Sequence, residues 1–163
     1  MRVAPCVVGL LVCFMSAAAG ETKDAWLGCW TRIYDADHLA EHRAQDVIAI
    51  GVLIMPRPDA GPDKYLARVQ LKVRDKPEVH TNFSGAHCRQ AGARLHCLAK
   101  DPAQGNFWLK PSGNDMELAL TAAGEGLEVV PPSDPQGFVQ ILPQNPEHQR
   151  FLMHPAAPGA CKL

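Results

Sequence analysis

Residues 65–74, YLARVQLKVR, decide the fold class. Tyr65, Ala67, Val69, Leu71 and Val73 alternate with Leu66, Arg68, Gln70, Lys72 and Arg74, giving one apolar and one largely polar face. That period of two is the mark of a half-buried strand. The Tyr65–Val73 face is therefore expected in the core, with Arg68, Gln70 and Lys72 in solvent. Just upstream, VIAIGVLIM (47–55) is continuously apolar and β-branched. It reads as a central strand buried on both faces, although periodicity alone also allows a buried helix.

Working outward, shorter strand candidates are LGCWTRI (27–33), VHTNFSG (79–85), RLHCLAK (94–100), NFWLK (106–110), MELALT (116–121), LEVV (127–130), FVQIL (138–142) and RFLMH (150–154). Between them stand PRPDAGPD, KDPAQG, PSGND, AAGEG, PPSDPQG and PQNPE, so that turn residues punctuate the chain roughly every ten positions. The expected fold is all-β, a single antiparallel β-barrel or sandwich, with one short helix near residues 36–45. In that stretch Asp35 or Asp37 can act as N-cap, and HLAEHRAQ holds good helix formers without Gly or Pro. Such a helix between two strands could close one mouth of a barrel.

Residues 1–20, MRVAPCVVGLLVCFMSAAAG, have the pattern of a signal peptide: Arg2, an apolar run from Val3 to Met15, and a small-residue end. Cleavage is expected after Ala19 or Gly20, leaving residues 21–163 as one disulfide-stapled domain with no stable membrane insertion. The expected location is periplasmic or secreted. Without Arg2 the chain has 15 basic and 17 acidic residues. Lys and Arg are scattered along it, so nucleic acid is a poor partner.

Cys29, Cys88, Cys97 and Cys161 remain after the leader, an even number that reads as disulfides in an exported chain. In HCRQAGARLHC (87–97), a two-residue Gly92-Ala93 loop of type II′ pairs Ala91 with Arg94. Three steps out in register, Cys88 faces Cys97 at a non-hydrogen-bonded pair, within disulfide reach. Cys29 then pairs with Cys161 by elimination, joining the first strand to the last residues.

His38, Glu41 and His42 spell H-x-x-E-H, which resembles the zinc helix of the inverted-motif metalloproteases. Histidines four apart share a helix face, and Glu41 could activate a water. Against this stand the small domain and the ordinary solvated composition of HLAEHRAQ. Glu117, at a tempting separation for a third ligand, is expected to point away from Met116, Leu118 and Leu120. The expectation is a solvent-facing amphipathic helix, no metal and no cofactor. Changing His38 and His42 to Ala should then leave the fold nearly intact.

Ser84, Ser112 and Ser133 lack a nucleophile-elbow context. His80, His87, His96, His148 and His154 read as dispersed surface histidines, and Trp26, Trp30 and Trp108 as core or barrel-end packing. Gly28-Cys29-Trp30 resembles the G-x-W that opens the lipocalin and wider calycin barrels. The resemblance implies a Trp packed across the closed end and an apolar ligand carried inside the barrel.

Three functions follow as expectations. The first is a monomeric, non-enzymatic module that binds or inhibits a protein partner through loops such as Pro131–Gly137 and Pro143–His148. The second is a lipocalin-like carrier of a small apolar ligand. The third is a zinc metallohydrolase using His38, Glu41 and His42.

Overall fold

A computed structural model describes residues 24–163 except 62–63, 77, 83–84, 100–104, 121–125 and 135–136. The signal-peptide pattern at 1–20 and Ser84 lie outside the described residues. The strands are β1 (Gly28–Ile33), β2 (Val47–Pro56), β3 (Lys64–Val73), β4 (Val79–Thr81), β5 (Ala86–Ala91), β6 (Arg94–Ala99), β7 (Asn106–Ser112), β8 (Asp115–Leu120), β9 (Leu127–Val129), β10 (Val139–Ile141) and β11 (Arg150–Ala156). The helix α1 spans Ala36–Glu41. Among the described residues no helix is long and apolar enough to cross a membrane.

Eight of these strands close on themselves. Going round, β1, β2, β3, β5, β6, β7, β8 and β11 each pair antiparallel with the next, and β11 returns to β1. The result is a closed antiparallel barrel, compatible with a calycin-like barrel. Closure removes the exposed sheet edges that an open sheet would leave. The β5–β6 turn has Gly92 at φ 62° and Ala91 opposite Arg94, the register expected from the hairpin sequence. Gly113, at φ 65°, turns β7 into β8 in the same way.

β4 extends the wall. It pairs with Gln70–Lys72 of β3, while β5 pairs further along the same edge with Lys64–Ala67. At the break the buried Asn82 stands in for the ladder: its Oδ1 accepts from Val69 N at 2.7 Å, and its backbone N–H donates to Val69 O. The hairpin of β9 and β10 attaches at the same end of the barrel through the Thr81–Val130 and Gly105–Leu127 bridges.

The interior follows the alternation. Tyr65, Ala67, Val69, Leu71 and Val73 are buried, and Arg68 is exposed; Gln70 and Lys72 are only half-buried. Gln70 accepts a hydrogen bond from Leu163 N, because the C-terminal tail lies over this part of the wall. The same tail explains why β2 is buried on both faces. Ile50, Val52 and Ile54 point inward, and on the outer face the tail passes so close to Gly51 that a Cβ there would meet Leu163 and Cys161 at 3.5–3.7 Å. Two disulfides complete the fold: Cys29–Cys161 fastens the tail to β1, and Cys88–Cys97 links β5 and β6. They are compatible with an oxidising extracellular or periplasmic location.

Two aromatic placements differ from the G-x-W expectation. Trp26, not Trp30, is the deeply buried indole at the end that bears the β2–β3, β5–β6 and β7–β8 turns, being 7% exposed. Asp24 holds it there, accepting from Trp26 N and from the Tyr65 hydroxyl. Trp30 sits one turn of strand further in, half-buried, with an Nε1 that has no hydrogen-bond partner among the described residues.

Candidate functional site

The opposite end of the barrel carries α1, and its histidines are not simply solvated. Asp35 caps the helix, its Oδ1 accepting from His38 N at 2.8 Å. The rings of Tyr34, His38 and His42 stack in sequence, with centroids 4.7 and 4.2 Å apart. Gln45 donates through Nε2 to Val47 O, which turns its Oε1 toward His38 Nε2 at 3.2 Å. His42 Nδ1 meets Glu147 Oε2 at 3.0 Å. Burial raises the pKa of the Tyr34 phenol, an effect opposed by Arg32 and reinforced by Glu147. The solvated-face expectation is thus corrected: the helix uses its histidine face to dock on the rim, although none of its residues is fully buried.

This arrangement bears on the H-x-x-E-H spelling. Two rings ligate one metal when their in-plane lone pairs converge, whereas rings stacked with an interplanar angle of 21° direct those lone pairs side by side. Glu41 is exposed, and Glu147 rather than Glu117 is the carboxylate beside the pair. Glu117 faces outward on β8 opposite Lys110, as the alternation implies. Among the described residues no group of three or more His, Cys, Asp or Glu side chains is placed to hold a metal ion.

The two loops expected to present a binding surface have different characters. Residues 143–148 are docked: Asn145 Nδ2 donates to Ala44 O at 2.7 Å, and the buried His148 accepts from Asp46 N through Nε2 at 3.1 Å. Burial lowers the His148 pKa, with Asp46 and Glu147 opposing the effect. Residues 132–134 are exposed, and beyond them Phe138, immediately before β10, is 58% exposed. Two histidines taken for surface residues are buried: His148 here, and His80, which lies opposite Leu71 on β4.

A second feature lies on the outer wall. The register pairs His87 with Leu98 and Arg89 with His96, and β7 adds Trp108 beside His96. A groove of about 710 Å³ runs here, lined among others by Arg57, His87, Arg89, His96 and Leu98. His96 stacks on Trp108 at 4.3 Å, and the Arg94 guanidinium lies 4.5 Å from the same ring. Trp108 is therefore a wall residue, not core. Arg57 is tied to Asp59 at 3.1 Å, and that hydrogen bond holds the Asp59 carboxyl below its usual range. A smaller hollow of about 320 Å³ lies beside Trp30 and the β7–β8 turn.

The hairpin's His87, Arg89 and His96 thus share one outer face with the distant Arg57, which composition did not reveal. The signal was present in the hairpin: the register that faces Cys88 with Cys97 also sets Arg89 against His96 and His87 against Leu98 on the other face. No family, curated protein or solved structure matches this chain.

Proposed function

We propose that this chain is an exported, non-enzymatic module that binds or inhibits a protein partner, in the periplasm or extracellular space, through the outside of its barrel. The observation that supports this reading is the filled interior. Phe107, Phe151, Ile50, Leu71, Leu109 and Met153 are fully buried within one continuous core, and Trp26 lies across one end. An eight-stranded barrel is just wide enough for side chains to fill it. A lipocalin-like ligand would have to displace them, which leaves recognition to the surface. Residues 132–134 with Phe138 offer an exposed segment on a crosslinked scaffold, the setting in which little order is lost on binding.

Native mass spectrometry of the exported protein, purified without added metal, separates the three readings. The expected result is the bare polypeptide with two disulfides. A stoichiometric lipid would favour the carrier, and stoichiometric zinc lost in the His38→Ala/His42→Ala variant would favour the metallohydrolase. A photocrosslinker at Phe138 is expected to capture the protein partner in the envelope of the source cell, whereas capture equal to that from Lys162 would count against the loop surface.

A further inference from the structure

We propose that the groove on the outer face of β5 and β6 docks an extended acidic segment of a partner polypeptide; this deepens the reading that recognition is external. Arg89 is exposed, and among the described residues no carboxylate pairs with it. The described carboxylates of this wall are engaged or marginal: Asp59 is held by Arg57, and Glu117 faces Lys110 two strands away. His96, which lines the groove, is stacked on Trp108, and Arg94 lies over the same ring beside it, so this side of the groove is ordered before any ligand arrives. A guanidinium fork matches a carboxylate bidentately.

Apolar groups lie among these charges. Ala91 and Ala99 line the groove, and Leu98 is 48% exposed there. An aliphatic side chain between carboxylates would cover Leu98. The volume falls within the range of about 300–1,000 Å³ common for ligand clefts. Charge elsewhere favours a short segment over a long polyanion or an anionic bilayer. Chain 21–163 carries two more acidic than basic residues. The α1 end mixes Asp35, Asp37, Glu41, Asp46 and Glu147 with Arg32, Arg43, Arg74 and Arg150, so it offers an extended anionic surface no uniform attraction.

The test is fluorescence anisotropy with a labelled oligoglutamate peptide carrying one central leucine, titrated with the full exported chain. Binding should weaken with salt and fall about tenfold in Arg89→Glu. Arg89→Lys should fall between the two, because it keeps the charge and loses the fork. Arg43→Glu, an equal change of net charge beyond α1, should bind like wild type. Circular dichroism and disulfide mapping of each variant report the fold. Equal weakening by Arg43→Glu and Arg89→Glu, or no binding up to about millimolar protein, would overturn the proposal. So would phosphatidylglycerol vesicles or single-stranded DNA binding with the same Arg89 dependence while the peptide does not. A lipid-filled barrel in the native mass spectrum would defeat external recognition and leave the peptide titration readable.

Discussion

At Asn82 the barrel wall is interrupted, and one side chain carries what backbone ladder bonds carry elsewhere. Its Oδ1 accepts from Val69 N, and its Nδ2 donates to Ala67 O at 3.4 Å. Asn82→Ala leaves the buried Val69 N–H without a partner, so a loss of about 2–3 kcal/mol is expected. Urea unfolding at unchanged m-value measures it; a loss under about 0.5 kcal/mol would mean that the wall relaxes around the gap. His148 is a second isolated position. Its Nε2 accepts a backbone N–H, which requires the neutral ring, and burial lowers its pKa from 6.5. As pH falls below 6.5 the unfolded chain takes up the proton first, so stability should decline through that window and be fully present above it. His148→Gln keeps an acceptor for Asp46 N–H without titrating. Its urea midpoint should vary less with pH below 6.5 than that of wild type, and parallel slopes would locate the pH dependence elsewhere.

The elements show where sequence suffices and where it does not. Every strand candidate has its counterpart, because alternation and turn residues act locally, and within VHTNFSG the described strand β4 ends where Asn82 leaves the ladder. The helix starts at the cap read from sequence but stops at Glu41 rather than near residue 45. The residues beyond are recruited by distant groups: Arg74 N donates to Asp46 O, and Arg74 Nη2 donates to both Leu39 O and Gln45 O. No local pattern announces those partners. With six residues, α1 is far below the roughly 12–15 at which an isolated helix becomes even marginal. Its ring stack and the Glu147 contact must hold it down. His38→Ala/His42→Ala is therefore expected to loosen α1 while costing only about 1 kcal/mol globally. Hydrogen exchange at the His42 amide, which bonds His38 O at 2.9 Å, reads the local effect. Retained protection there would restore the view of a helix whose histidine face does not matter.

Closure is a property of the whole molecule, and alternating strands look alike in a barrel and a sandwich. What decides between them is the seam between the first and last strands of the barrel, where Cys29 lies opposite Ala156 and Thr31 opposite His154. Such long-range pairing carries no local signature, although the inferred Cys29–Cys161 bridge already brought the chain ends together. The gathering of Arg89, His96 and Trp108 likewise exists only once neighbouring strands are in register. Near that seam the Cys29–Cys161 bridge, spanning a separation of 132 residues, removes the larger share of freedom from the unfolded chain. On the chain-entropy account it should contribute about 4–5 kcal/mol, against about 2–3 for Cys88–Cys97, whose separation is 9. Packing works the other way. All four cysteines are almost fully buried, but only Cys88 and Cys97 belong to the barrel core, so replacing that pair with Ser also puts hydroxyls and lost volume among core side chains. The two effects separate by variant. Cys29→Ser/Cys161→Ser should lower the urea midpoint more than Cys88→Ser/Cys97→Ser, with β1 and β11 amides losing exchange protection first. If the hairpin pair proves the costlier loss, core packing outweighs closure entropy, and the seam is held by its strand pairing without help from the bridge.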